Sequence, residues 1–139
     1  MKKRVAMAAA LLAASVLSAE QKESFGRYDM HYSVFNPSFL RAAIAEQYEI
    51  VRGRDKAVVN VSILDGERSV ALPVTGTVKN LLGQSQPLRF REVKEGKAVY
   101  YLAMLTYQDR DTLRFEITAD LPGYGPAVLR FQETLYWEP

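Results

Sequence analysis

The sequence predicts an all-β protein: an immunoglobulin-like antiparallel β-sandwich of about seven strands, with one short helical insertion between the first two strands. Apolar and polar residues alternate with a period of two over most of the chain. Clusters of turn residues separate the alternating stretches at the spacing of short strands. Because cysteine is absent, a hydrophobic core and not a disulfide network must hold the domain together. A closed barrel is the alternative architecture.

The N-terminus predicts a signal peptide over residues 1–19, followed by a single domain over residues 20–139. Three basic residues at positions 2–4 precede the uncharged run Val5–Leu17, and the small pair Ser18–Ala19 suits cleavage by a signal peptidase. The run is shorter than the roughly 20 apolar residues of a membrane span. We therefore expect a periplasmic protein with no membrane span after processing.

The charge of the processed chain excludes nucleic acid as a partner. The sequence has 18 Lys and Arg residues against 16 Asp and Glu residues. Three of the basic residues and none of the acidic ones lie in residues 1–19, which leaves 15 basic against 16 acidic residues and a net charge of −1. Nucleic-acid binding requires a surplus of positive charge, which the processed chain lacks.

The predicted strands follow in order along the chain, and each places its apolar residues on one face. Pro73 interrupts the third stretch, which predicts an edge strand or a crossing between the sheets. Asp65–Gly66 predicts a hairpin turn after the second stretch. The stretches are Tyr28–Val34, Ala57–Leu64, Val70–Val78, Leu88–Arg91, Ala98–Tyr107, Leu113–Thr118 and Leu129–Trp137.

The helical insertion is predicted from a start signal and a short periodic segment. Asn36–Pro37–Ser38 combines a capping residue with a proline in the first turn. Arg41–Tyr48 then predicts a short helix, because Ile44 and Tyr48 lie four residues apart on one face. We expect the insertion to plug one end of the sandwich.

The stretch Ala98–Tyr107 is apolar on both faces, which predicts a central strand covered on both sides or a strand that lines a groove. A groove would recognise a protein partner or an apolar ligand, because Tyr and Met are favoured on such surfaces. The alternative is a second core covered by the insertion. The candidate binding residues are Tyr100, Leu102, Met104, Tyr107, Phe39, Tyr48 and Arg52.

No motif predicts catalysis, a metal site or a cofactor. His31 is the one histidine, and it shares a strand face with Asp29. A metal site needs three or four ligands, so a solvated strand face is the favoured interpretation of this pair. The basic group Arg52, Arg54 and Lys56 suits anionic headgroups or glycans, although a solvated loop is favoured there too.

Several segments resemble the bacterial family called "domain of unknown function 4426". They are Tyr32–Leu40, Tyr48–Arg52, Val74–Leu81 and the pair Tyr100–Tyr101. The resemblance covers nearly the whole processed chain. It implies a proteobacterial periplasmic domain with an immunoglobulin-like fold, and it implies no activity and no functional residues.

These observations favour an exported, non-catalytic binding module over two other classes of protein. One alternative is a periplasmic hydrolase that uses Asp29 and His31 as an acid–base pair. The other is an assembly chaperone that pairs an exposed edge strand with its client.

Overall fold

A computed structural model describes residues 21–139, with the side chain of Phe39 excepted, and the predicted signal peptide lies outside these residues. Within them the chain forms ten strands, a 3₁₀ turn (Pro37–Phe39) and the helix α1 (Ala42–Gln47). The strands are β1 (Gln21–Phe25), β2 (Tyr28–Phe35), β3 (Lys56–Asp65), β4 (Arg68–Ser69), β5 (Val74–Asn80), β6 (Ser85–Leu88), β7 (Arg91–Glu95), β8 (Ala98–Thr106), β9 (Asp111–Leu121) and β10 (Gly125–Leu135).

The strands form two antiparallel sheets. The six-stranded sheet has the order β1-β2-β3-β8-β7, with β4 paired to β3, and the four-stranded sheet has the order β10-β9-β5-β6. The chain leaves the first sheet between β4 and β5, where the Leu72 amide donates a hydrogen bond to the Tyr101 hydroxyl at 2.8 Å. Pro73 lies in this crossing, which confirms one of the two roles predicted for it.

One core fills the space between the inner faces of the two sheets. Residues at every second position of β2, β3, β8, β9 and β10 contribute to it. The predicted alternation is therefore confirmed, because burial against the facing sheet is what gives each strand its period of two. The largest fully buried side chains include Met30, Ile63, Phe115, Ile117, Leu121 and Leu129.

The insertion covers the outer face of the six-stranded sheet, so the prediction that it plugs one end of the molecule is wrong. Ile44 and Tyr48 pack against apolar side chains that point outward from the sheet, among them Val58 and Leu102. Those outward side chains need cover on the face of the sheet, and the insertion supplies it. The full cluster comprises Phe35, Leu40, Ile44, Ala45, Tyr48, Ile50, Val58, Val93 and Leu102.

The number and order of strands differ from the prediction in two respects. β1 is mostly exposed and polar, so its sequence carries no apolar period, and its presence places the insertion after the second strand. Leu88–Arg91 is not one strand but the point where the chain passes from β6 into β7. Its alternation reflects the return of the chain from one sheet to the other.

Candidate functional site

The residues predicted to line an apolar groove meet on the outer face of the six-stranded sheet, where they pack against one another. Leu102 and Tyr48 are buried in the outer cluster. Tyr100 and Met104 are half-buried at its margin. The structure therefore brings four of the predicted residues together, as parts of a second core beneath the insertion.

The other predicted residues lie elsewhere. Tyr107 points into the core between the sheets, and its hydroxyl donates to the Tyr136 carbonyl at 2.7 Å. Arg52 is exposed and donates from Nη1 to the Leu40 carbonyl at 2.8 Å. This bond connects the segment after α1 to the segment before it. The side chain of Phe39 lies outside the described part of the chain.

Two polar contacts fasten the insertion to β7, the edge strand beside β8. The Tyr48 hydroxyl donates to Glu95 Oε1, and Arg91 Nη1 lies 2.8 Å from Glu49 Oε2. Burial raises the pKa of Tyr48 well above its usual value, and the neighbouring Glu95 carboxylate raises it further. Tyr48 is therefore a neutral hydrogen-bond donor across the physiological pH range.

Next to the outer cluster, the same sheet face forms an open concavity of about 250 Å³. Its floor is the stretch of β2 and β3 that the insertion does not cover. It is lined by His31, Tyr32, Ser33, Asn60, Ser62, Leu64, Ser69, Ala98, Val99 and Tyr100.

The register of β2 and β3 sets polar side chains side by side in the concavity. Ser33 is paired with Asn60, and His31 is paired with Ser62. Ser33 Oγ and Asn60 Oδ1 are buried and have no hydrogen-bond partner within residues 21–139. The two residues are only 3% and 7% exposed. Buried polar atoms nearly always have a hydrogen-bond partner in proteins, so two neighbouring buried atoms without one require an explanation.

The lining of the concavity combines polar and apolar side chains and contains no acidic, lysine or arginine side chain among the described residues. None of the described residues that line it carries a carboxylate, an ammonium or a guanidinium group. Asp29, two residues from His31 on β2, accepts a hydrogen bond from the Ser24 hydroxyl at 2.5 Å and lies 4.0 Å from Lys22 Nζ. The concavity therefore offers the hydroxyl and amide groups of Ser33, Asn60 and Ser62 beside apolar side chains.

Ser33, Asn60 and Ser62 did not emerge as candidates from the sequence. Each occupies an outward position of a strand whose inward positions are apolar, which is typical of a solvated face. The signal that distinguishes Ser33 and Asn60 is their direct pairing across β2 and β3, together with the burial of both residues.

Neither a group of metal ligands nor a membrane-spanning helix is found among the described residues. No group of three or more His, Asp or Glu side chains in residues 21–139 is placed to hold a metal. In the same range, neither the length nor the hydropathy of any helix suffices to cross a bilayer.

Comparison with known proteins identifies the family. The sequence model described as "Domain of unknown function (DUF4426)" matches residues 22–138. The chain belongs to this family. The crystal structure of a DUF4426 protein from Pseudomonas aeruginosa PAO1 is similar, with a TM-score of 0.79 and 35% sequence identity over 88% of this chain and 98% of that chain. The predicted family resemblance is confirmed, and no curated protein matches the chain.

The DUF4426 chain shares its fold with a more distant protein, FetP from uropathogenic Escherichia coli strain F11. FetP as isolated has a TM-score of 0.55 at 10% identity, over 87% of this chain and 96% of that chain. A copper-bound FetP variant has a TM-score of 0.57 at 10% identity, over 86% of this chain and 97% of that chain. At this level of identity the likeness describes the fold alone.

Proposed function

We propose that this DUF4426 protein is an exported, non-catalytic binding module whose outer-sheet concavity takes a small, neutral, hydrogen-bonding ligand of the saccharide class. In this proposal residues 1–19 are a signal peptide, and residues 20–139 form one immunoglobulin-like sandwich in the periplasm. The positive start and short apolar run of the sequence support export. The family itself is one of unknown function.

The single observation that carries the proposal is that Ser33 Oγ and Asn60 Oδ1, at the floor of the concavity, have no hydrogen-bond partner within residues 21–139. A buried polar group without a partner destabilises a protein by about 1–3 kcal/mol. A ligand that reaches these atoms after a small rotation of the side chains recovers that free energy. Asn60 Oδ1 can only accept a hydrogen bond, so the ligand must offer an O–H or N–H group.

The absence of charged side chains in the described lining favours a neutral ligand. A phosphate or carboxylate would lose its hydration shell without gaining a cationic partner. An apolar ligand would leave Ser33 and Asn60 unpaired, which disfavours the lipid-like ligand expected for an apolar groove. A sugar ring satisfies both conditions, because its hydroxyls pair with Ser33 and Asn60 while its apolar face lies against the apolar part of the lining, which includes Leu64 and Ala98.

The size of the concavity sets an upper limit on the ligand. Its volume of about 250 Å³ is smaller than typical drug-sized sites, which measure about 300–1,000 Å³. One or two sugar rings fit this scale, with the rest of a longer glycan in solvent. Binding in the millimolar to high micromolar range is expected of so small and open a site.

The test is a titration of the ¹⁵N-labelled, exported protein with N-acetylglucosamine, glucose and a neutral control polyol, followed by NMR. We expect saturable shifts of the amides around Ser33, Asn60 and Ser62 with a sugar, and none on the outer face of the four-stranded sheet. Asn60→Leu should abolish these shifts, whereas Thr118→Ala on that other face should bind as wild type. The proposal fails if no sugar produces saturable shifts in the concavity, or if Asn60→Leu binds normally.

The two rival functions have less support in the geometry. The Asp29 carboxylate is held by Ser24 and Lys22 on β1, which is typical of a surface polar cluster. The edge strand β10 carries the carboxylate of Glu133 on its inner face, and inward-pointing charges are a device that prevents edge-to-edge strand pairing. His31→Ala with unchanged fold and a lost hydrolytic activity would favour the enzyme instead.

A further inference from the structure

The turn between β5 and β6 presents two adjacent leucines to solvent. Leu81 is 63% exposed and Leu82 is 85% exposed. Single exposed apolar residues are common on soluble proteins, but two neighbouring leucines at the tip of a hairpin form a projecting apolar point. This tip belongs to the four-stranded sheet, whereas the concavity lies on the six-stranded sheet.

The tip has a defined conformation, set by Asn80. Its Oδ1 accepts hydrogen bonds from the Leu82 amide at 3.0 Å and the Gln84 amide at 2.9 Å. Its Nδ2 donates to Gln84 Oε1 at 2.7 Å. Gly83 completes the turn at a φ of 83°, in the left-handed region that glycine adopts without strain. The turn thus holds the leucines outward, and little ordering entropy is lost when they are buried by a partner.

Two basic side chains flank the tip on the outer face of the four-stranded sheet. Lys79 on β5 is paired with Arg114 on β9, and both are exposed. Neither forms an ion pair with a carboxylate in the described part of the chain, and Arg114 donates from Nε to the neutral Gln132 at 3.2 Å. Glu116, the nearest acid along β9 on this face, is already paired with Arg130. The opposite flank of the hairpin is polar and includes Asp111.

We propose that the Leu81–Leu82 tip docks on the surface of an anionic lipid bilayer, with the leucines in the headgroup region and Lys79 and Arg114 against the lipid phosphates. Apolar side chains beside basic ones are the combination that binds such surfaces. The free positive charges complement anionic headgroups, whereas a protein partner would need an acidic apolar pocket. Attachment through two leucines and two charges is weak and reversible, which suits a soluble domain that visits a membrane.

The experiment is co-sedimentation of the exported protein with vesicles of phosphatidylglycerol or of phosphatidylcholine. Wild type should bind phosphatidylglycerol vesicles in 50 mM salt and lose most of that binding in 500 mM salt, because salt screens the charges. Leu81→Ser with Leu82→Ser should lower the partition coefficient about tenfold. Lys79→Gln should lower it about fivefold and leave phosphatidylcholine unaffected.

Val51→Ser is the matched control, because Val51 is also 60% exposed but lies in the insertion arm on the other sheet. It should bind as wild type. All the variants have the same N-terminus, so any contribution it makes to binding cancels between them. Absence of binding to phosphatidylglycerol vesicles in 50 mM salt would overturn the proposal. Equal binding by the double leucine variant and the wild type would overturn it too, since the tip would then not be the docking element.

Discussion

The side-chain amide of Asn36 donates a hydrogen bond to the Tyr107 hydroxyl at 3.2 Å, although the two residues are 71 positions apart. Asn36 also donates to the Arg54 carbonyl at 2.9 Å and accepts from the Ser38 amide at 2.8 Å. The Tyr107 hydroxyl donates in turn to the Tyr136 carbonyl. These hydrogen bonds therefore join three parts of the chain: the start of the insertion at Asn36, the segment around Arg54 that leads into β3, and the C-terminal segment at Tyr136.

Replacement of either partner should destabilise the protein, and the two effects should not add. We expect Asn36→Ala to lower the free energy of unfolding by about 2–3 kcal/mol and Tyr107→Phe by about 1–2 kcal/mol. In the double variant the combined loss should be smaller than the sum by about 1 kcal/mol. Urea unfolding measures all three, with Ser38→Ala, an exposed neighbour, as the control. Strict additivity would show that the bond between Asn36 and Tyr107 contributes nothing.

The insertion should behave as part of the folded core and not as a detachable arm. Ile44 is 8% exposed and packs in the outer cluster, so Ile44→Ala should destabilise the domain by about 2–4 kcal/mol. Gln47→Ala on the exposed side of α1 is the control and should change stability by about 0.5 kcal/mol or less. If Ile44→Ala instead leaves global unfolding unchanged and only increases protease cleavage near α1, the insertion unfolds independently.

The sequence predicted those features of the fold that produce a residue pattern within a single strand. Burial on one face produces a period of two, which identified β2, β3, β9 and β10. For β8 the sequence predicted either a central strand covered on both sides or a strand that lines a groove. The strand lies between β3 and β7, with the core on one face and the insertion on the other, which agrees with the first alternative. Asn36 was predicted to begin the insertion, and its side chain caps the 3₁₀ turn.

Features that depend on which strands pair were not predictable from the sequence. The juxtaposition of Ser33 and Asn60 follows from the register between β2 and β3, which no local pattern specifies. β1 is held in place by pairing with β2, although four of its five residues are exposed. The candidate site therefore lies where polar residues at outward positions of two paired strands are buried. The sequence of each strand alone indicates a solvated face.

A side chain at position 76 should destabilise the protein, because the paired strand β9 and the segment between β6 and β7 approach Gly76 closely. A Cβ atom there would lie 3.0 Å from the Glu116 carbonyl oxygen and 3.2 Å from Cε2 of Phe90. The carbonyl belongs to the paired strand β9 and cannot move without disturbing the sheet. We expect Gly76→Ala to destabilise the protein by about 1–3 kcal/mol. Thermal unfolding checks this, with the isosteric and exposed Thr77→Val as control; wild-type stability in Gly76→Ala would contradict the close approach.

Glu133 should make stability depend on pH in the direction opposite to that of most carboxylates. Burial on the inner side of β10 raises its pKa, and the hydrogen bond from Gln21 Nε2 at 3.2 Å offsets only part of this shift. A raised pKa means that the folded state favours the protonated form. The stabilisation is therefore fully present below the unfolded pKa of about 4.3 and is lost as pH rises through the folded pKa.

Glu133→Gln, which keeps the shape and cannot ionise, should be more stable than wild type at pH 7 and equal to it at pH 3. Urea unfolding between pH 3 and 8 measures the difference, and Glu116→Gln is the control, because Glu116 is exposed and paired with Arg130. A gain for Glu133→Gln that is the same at pH 3 and pH 7 would assign the effect to packing and contradict a burial penalty on the charge.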